Sequence, residues 1–395
     1  MIVELLISGA SYFIFDYLEK REFKEYKKEF DSIIERLPEL KNNKNETLNL
    51  ISYEPTDYGY KIKFYIPVGI TTDTIQSNFL KLKQALKLSS FHFTEEERLI
   101  TLYAIKKYNF KQYKPLKLKP YEILIGEFIG KSVIVDLNKY PHCLIGGDSG
   151  TGKSRVLFTI LTNLISGSNK INMHLLQVRK NDLLVFKDCK QVNTCSRTLE
   201  EVLEALRGID KELQRRESLL DITKGYLNIS DYNKKSGKTL KYEYVIIEEG
   251  SFLNISRADS KEEKAIKAEC LKILKSIVNV GRSSGVFLII SLQKPTSDSL
   301  PTDIKAQLTT RISMLIKDKP TSIVVLGDDA AVNLGDREFI CRTKETIKGY
   351  SYTIDFPEIT EYTKNSIIVR EQKERPPAKE KINNSADDII RALGI

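Results

Sequence analysis

Residues 147 to 154 read Gly147-Asp148-Ser149-Gly150-Thr151-Gly152-Lys153-Ser154 and fill every fixed position of the phosphate-loop pattern G-x-x-x-x-G-K-[ST]. The short apolar run Cys143-Leu144-Ile145-Gly146 precedes them, and an apolar helical pattern, Val156 to Ile165, follows. A strand, a glycine loop and a helix in that order commit this part of the chain to an α/β fold. The glycines let successive backbone N–H groups turn toward phosphates, and the helix amino terminus adds its positive dipole end. Lys153 is placed to reach the β- and γ-phosphates of ATP, and the Ser154 hydroxyl to ligate Mg²⁺. The chain reads as one that binds a nucleoside triphosphate.

Downstream, Tyr244-Val245-Ile246-Ile247-Glu248-Glu249 is an apolar strand that ends in two carboxylates. Side chains of consecutive strand residues diverge, so two adjacent acids can take two tasks. The first, Glu248, is expected to hold Mg²⁺ and the second, Glu249, to polarise the attacking water. A later block, Gly281-Arg282-Ser283-Ser284-Gly285, leads into the apolar run Val286 to Leu292 and then Gln293-Lys294-Pro295. Gln293 falls at a strand's carboxyl end, where open α/β sheets bind ligands, and is a candidate γ-phosphate sensor. Arg282, ahead of the same strand, is a candidate arginine finger toward a neighbouring subunit's nucleotide. Loop-closing hydrogen bonds and a structural ion pair are the bland alternatives for Gln293 and Arg282.

The chain of 395 residues is 41% hydrophobic, enough for a substantial core. Apolar runs alternate with helical patterns from 121 to 369, which predicts a mostly parallel sheet with helices on both faces. Strand candidates are His142–Gly146, Ile171–Val178, Tyr242–Glu248, Val286–Leu292, Ile312–Ile316 and Glu338–Arg342. A long helix carries Leu199, Val202, Leu203, Leu206, Ile209 and Leu213. Ahead of this lies a Lys- and Glu-rich helical segment within residues 1–45. A small α+β domain follows over 46–120, in which Thr94-Glu95-Glu96-Glu97 has capping-box form and opens a predicted helix to Ile105. Its last part, Lys106 to Lys119, holds six lysines with Tyr108, Phe110 and Tyr113, and reads either as a linker or as a nucleic-acid contact. Residues 370–395 read as a disordered tail. The apolar stretch in residues 1–17 is too short to span a bilayer, so it reads as a buried helix or a peripheral membrane contact.

The net charge of +9 favours an anionic partner such as nucleic acid or a membrane surface, unless it reflects only a lysine-rich composition. Five scattered cysteines without a C-x-x-C pair and three distant histidines argue against a disulfide framework or a zinc site.

From Leu124 to Arg342 the chain resembles the FtsK/SpoIIIE family of DNA-translocating ATPases. The pieces occur in order: Ile125-Gly126, Val133 to Leu137, Pro141-His142-Cys143 leading into the loop, and the acidic strand. Gly281-Arg282-Ser283-Ser284-Gly285, Leu292-Gln293-Lys294-Pro295, and Ile304-Lys305-Ala306-Gln307 with Arg311-Ile312 complete the series. The resemblance implies a RecA-like motor domain over 121–369 that assembles as a ring, usually a hexamer, around double-stranded DNA. It also implies that Arg282 is the finger and that Lys305 lies in a DNA-facing loop flanked by Lys294 and Arg311. Contacts of a sequence-independent motor should go to phosphates.

Two departures stand out: Glu248 where the family usually has Asp, and Leu292-Gln293-Lys294-Pro295 where it usually has Thr-Gln-Arg-Pro. No multi-span membrane region precedes the motor, and residues 343–395 are too few for a winged-helix module. Both point to the compact members carried by conjugative plasmids and transposons of Gram-positive bacteria, with a relaxase or a transfer-channel protein as partner. Competing expectations are a HerA-type or secretion-linked motor, and a nucleotide-gated adaptor that hydrolyses little. The expected location is cytoplasmic or peripheral at the inner membrane face.

Overall fold

The computed structural model describes residues 23–293 and 299–368, which form two sheets of unequal size. In the smaller, strands β1 (Asn49–Thr56), β2 (Gly59–Tyr65), β3 (Ser90–Glu96) and β4 (Leu99–Ile105) are antiparallel in the order β1-β2-β4-β3. A helix over residues 23–35 (α1) supplies Phe30 and Ile34 to the core of this sheet. Helices α2 (Thr72–Ser77) and α3 (Phe79–Ala85) connect β2 to β3. Ile62 and Phe64 of β2 and Ile100, Leu102 and Ala104 of β4 are buried at alternate positions, as in a sheet covered on one face.

The helix expected from Thr94 to Ile105 is therefore a hairpin. Thr94 pairs with Thr101 and Glu96 with Leu99, and the turn holds Glu97 at φ 58°. The capping-box pattern is local, whereas the two-residue alternation of burial along β4 is imposed by the shared core, and the core prevails.

The larger sheet has ten strands. They are β5 (Glu122–Phe128), β6 (Lys131–Asp136), β7 (Cys143–Gly146), β8 (Ile171–Leu176) and β9 (Val192–Ser196), then β10 (Tyr242–Ile247), β11 (Val286–Leu292), β12 (Thr310–Ser313), β13 (Glu338–Arg342) and β14 (Thr346–Tyr350). Their order is β6-β5-β14-β13-β12-β7-β11-β10-β8-β9. From β12 to β9 neighbouring strands run parallel, and from β12 out to β6 they run antiparallel. All six strand candidates of the sequence lie in this sheet, with β12 starting and ending slightly earlier than expected.

Helices cover both faces. On one, α4 (Lys153–Gly167) and α10 (Phe356–Thr363) close a core with Val156, Ile160, Leu161 and Ile359. On the other, α5 (Leu199–Leu219) and α7 (Lys261–Ser284) lie side by side and bury Leu206, Ile209, Leu213, Ile273, Leu274 and Ile277. Both long helices open with a capping box, Thr198 with Glu201 and Ser260 with Glu263. Short helices α6 (Ile229–Lys235), α8 (Thr302–Gln307) and α9 (Lys319–Leu326) complete the set.

The aromatics of the lysine-rich stretch 106–119 face inward. Tyr113 is fully buried with its hydroxyl 3.2 Å from Asn163 Oδ1 on α4, Tyr108 stacks on Tyr350 at 3.8 Å, and Phe110 lies under the Arg337 guanidinium. These contacts fasten the stretch to the large sheet and engage the ring faces that base stacking would need. The small sheet joins the large one where Ser90 donates to Glu338 at 2.6 Å. The apolar segment of residues 1–17 and the tail 370–395 lie outside the described residues, among which no helix is long and apolar enough to cross a membrane.

Candidate nucleotide site

The loop leaves β7 at the centre of the sheet and turns into α4. Gly152 caps that helix at φ 103°, a left-handed conformation that side chains resist, and a Cβ there would lie 3.1 Å from Met314 and 3.2 Å from Ser351. The loop is thus seated against the ends of β12 and β14. Asp148 anchors its first turn: its N–H donates to Leu315 O at 3.0 Å, and its Oδ2 accepts from the Lys317 N–H at 3.1 Å. The Thr151 hydroxyl donates back to Asp148 O at 2.8 Å. Gly147 is buried, Ser149 and Gly150 are exposed at the tip, and Ser154 is exposed in the first turn of α4.

One strand, β11, stands between the loop strand β7 and the acid strand β10. This spacing puts the loop, the end of β11 and the two acids side by side at one edge of the parallel strands. Glu249 follows β10 in a left-handed conformation, φ 58° and ψ 70°. Its N–H lies 3.4 Å from Ser291 Oγ, and its carboxylate accepts the Gln293 N–H at 3.0 and 3.3 Å. The same carboxylate stands 3.5 Å from Lys153 Nζ, an ion pair too long for a good hydrogen bond. Burial pulls the Lys153 ammonium below its ordinary pKa, and Glu249 pulls the other way.

Glu248 takes a separate environment. It is buried, with Lys180 Nζ at 3.8 Å, and its pKa is pushed up to about 7, first by burial and then by Asp182 nearby. Buried polar atoms without a hydrogen-bond partner gather at this edge, among them Lys153 Nζ, Asp148 Oδ1 and Glu248 Oε2. Such orphans cost about 1–3 kcal/mol each when nothing satisfies them. A cation, two carboxylate oxygens and the accessible Ser154 hydroxyl are the donors and hard ligands that a magnesium–triphosphate needs, so the residues fit that group.

The other expected residues are distributed more widely. Gln293 is exposed at the carboxyl end of β11, on the same edge as the loop. Arg282 lies in the last turn of α7, before the amino end of β11, and its Nε donates to Asn138 O at 2.8 Å. Lys305 is half-buried on α8. Arg311 is turned onto its own chain: its guanidinium donates to the carbonyls of Lys305, Leu308 and Val325 at 3.1, 3.3 and 3.4 Å. These bonds brace the α8 segment. Lys294 lies outside the described residues.

Sequence reasoning passed over Lys180 and Asp182 beside Glu248, Ser291 beside Glu249 and Lys317 beside Asp148. Each follows or closes a parallel strand at its carboxyl end, which is the signal that could have found them. Arg337, against Gly152 and bonded to Ser351 O at 3.0 Å, comes from the antiparallel extension and carried no such mark.

The pattern of the FtsK/SpoIIIE family matches residues 115–342. The chain belongs to this family. It is 29% identical over 226 residues to the DNA translocase FtsK of Borreliella burgdorferi, covering 54% of this chain and 27% of that one. It is 27% identical over 222 residues to the DNA translocase SftA of Bacillus subtilis, covering 53% of this chain and 22% of that one. The chain thus spans about a quarter of the length of these relatives. Among solved structures, the pCW3 conjugation coupling protein TcpA, in a monomer form with ATPγS, aligns with a TM-score of 0.62 at 21% identity, over 86% of this chain and 99% of that one. The cytoplasmic domain of the type VII secretion ATPase EccC of Thermomonospora curvata aligns with a TM-score of 0.52 at 19% identity, over 68% of this chain and 34% of that one. These likenesses establish the α/β RecA-like motor fold of the FtsK/SpoIIIE family member.

Proposed function

We propose that the chain is an ATPase that works as a ring, with a hexamer as the expected form, and moves double-stranded DNA. The observation that carries this reading is the convergence of Lys153, Asp148 and Glu248, each with an orphaned buried atom, beside a Glu249 carboxylate held by the Gln293 backbone. Lys153 and the backbone of Gly147 to Gly152 would bind the phosphates, and Ser154 and Glu248 would hold Mg²⁺. Bound there, Mg²⁺ would neutralise charge developing on the phosphate oxygens. Glu249 would orient and polarise the attacking water, and Gln293 would sense the γ-phosphate from the same edge.

Arg282 precedes the seven-residue strand β11, whose far end abuts the site. At roughly 3.3 Å per residue this separation exceeds 20 Å, beyond the reach of an arginine side chain. Arg282 would therefore serve a neighbouring subunit's nucleotide rather than its own. Lys305, Lys294 and Arg311 would contact DNA phosphates, and Arg311 would also support the α8 segment that carries Lys305.

The family relationship supports DNA as the substrate, and a fold spanning nearly all of a conjugation coupling protein supports plasmid or integrative-element transfer as the process. A relaxase or channel protein would be the partner, and residues 1–17 the candidate membrane contact. The test is steady-state ATP hydrolysis with and without linear double-stranded DNA, with Lys153→Ala as the blank. Strong stimulation that declines steeply with salt is expected. Hydrolysis indifferent to DNA would favour a protein-handling ATPase, and negligible hydrolysis under all conditions a nucleotide-gated adaptor.

A further inference from the structure

Arg216 lies on α5 and is 2% exposed. Its guanidinium makes three directed bonds: Nε to Glu212 at 2.7 Å, Nη2 to Glu243 at 2.8 Å, and Nη1 to the main-chain carbonyl of Ser284 at 2.9 Å. Ser284 is the last residue of α7, two beyond Arg282. The same turn is held from other sides. The Glu243 N–H donates to Gly285 O at 2.9 Å, and a Cβ at Gly281 would come within 2.4 Å of Val286 O, so the helix end rests directly on the β11 backbone. Glu243 is itself fixed by Asn172 at 2.9 Å and His174 at 3.2 Å, and His174 is braced by Thr194 at 2.9 Å. Arg282 emerges from this locked turn, exposed, with only its Nε engaged among the described residues.

We infer that Arg216 is a positioning residue that fixes the end of α7 and thereby aims Arg282 at the neighbouring subunit's nucleotide. This rests on the reading of Arg282 as a residue that acts between subunits. Stability alone is a weak reason for such a group, because a buried ion pair is often replaceable by apolar residues without loss. Geometry is a better one. A planar fork bonded at once to α5, β10 and the last carbonyl of α7 sets the relation of three elements, which a flexible ammonium does not do. A cation on that carbonyl also satisfies a helix-end acceptor that otherwise lacks a partner.

The experiment uses full-length protein with DNA and the variant Arg216→Lys, which keeps a positive charge beside Glu243 and Glu212 but loses the fork. Binding of a non-hydrolysable ATP analogue should stay within about twofold of wild type while kcat falls by roughly tenfold or more, since a 1 Å misplacement can cost ~10²-fold. Arg216→Lys subunits are then mixed with Lys153→Ala subunits, which keep a well-placed Arg282 but an inactive loop. Two individually weak proteins should regain activity, because the loop of one meets the arginine of the other. Arg282→Ala mixed with Lys153→Ala is the control.

Recovery in the control but not with Arg216→Lys would overturn the inference alone, by placing the damage in the variant's own site. Wild-type kcat in Arg216→Lys would do the same. Failure of the control would overturn the between-subunit reading and the inference with it. Should Arg216→Lys fold poorly by thermal denaturation, the pair Arg216→Gln with Glu243→Gln removes the buried charges together and is put through the same mixture with the same decisive outcomes.

Discussion

The Glu249 carboxylate and the Lys153 ammonium stand 3.5 Å apart and tie the acid strand to the phosphate loop across the intervening strand β11. Each group satisfies part of the other's charge in a buried setting. Phosphates arriving at Lys153 would compete for the ammonium and leave Glu249 held by the Gln293 N–H, facing the space where water must attack.

Glu249→Gln should therefore separate binding from turnover. If Glu249 polarises the attacking water as proposed, its loss should slow hydrolysis by ~10²–10⁴-fold. Affinity for ATP should stay equal or rise, since Lys153 loses a competing partner. Phosphate release and binding of a fluorescent nucleotide, measured side by side, check this; a variant that hydrolyses at the wild-type rate removes Glu249 from its role.

Nucleotide binding should be visible as stability. A ligand that binds only the folded state at a hundred times its Kd adds about 2.7 kcal/mol. An ATP analogue with Mg²⁺ should accordingly raise the melting temperature of the wild type, and chelating the metal should remove most of the gain. Lys153→Ala should melt at an unchanged or higher temperature without ligand, because a buried ammonium is lost, and should show no shift with it.

Glu248 carries a pH signature. Its pKa of about 7 in the folded state exceeds the ordinary 4.5, so the folded protein binds the extra proton between those values. Stability from this group is complete below about pH 4.5 and is lost as pH rises toward and through 7. Glu248→Gln should flatten that decline and raise stability at pH 8 by on the order of 2–3 kcal/mol. Binding of the magnesium–nucleotide near pH 6.5 should release a fraction of a proton, since a ligating carboxylate must be ionised. Calorimetry in buffers of different ionisation enthalpy measures it, and a binding heat independent of buffer would contradict this assignment.

The parallel centre of the fold was legible because β7, β10 and β11 carry apolar runs and end in marked residues: Gly146 before the loop, Glu248 and Glu249 after β10, Gln293 after β11. The antiparallel extension was harder to see. Strand β14 contains Lys348 and Gly349 and has no apolar run, and at the opposite, parallel end of the sheet the short β9 carries an exposed Asn193 and a half-buried Thr194. The hairpin of β3 and β4 was misread because its turn uses Glu97 and Arg98, without the Asn-Gly or Asp-Gly that usually mark such turns. At the site, residues on the loop and strand ends could be named in advance. Arg337 could not, since it precedes the antiparallel strand β13, whose place beside the loop depends on how strands distant in sequence are ordered.

One amide secures the middle of the lysine-rich stretch. Asn163 Oδ1 accepts from the Tyr113 hydroxyl and, at 2.8 Å, from the Leu116 N–H. Asn163→Ala strands both donors and should destabilise the protein by about 1–3 kcal/mol, read as a lower denaturation midpoint in urea. A midpoint within error of wild type would show that the stretch is not held through this contact.

Movement along DNA is the central claim, and it is tested most directly by displacement of a third strand from linear duplexes that carry the triplex at increasing distances from one end. The account predicts ATP-dependent release after a lag that lengthens in proportion to distance, absent in Lys153→Ala and Glu249→Gln. Release with no lag, or a lag independent of distance, would contradict it even if DNA stimulates hydrolysis.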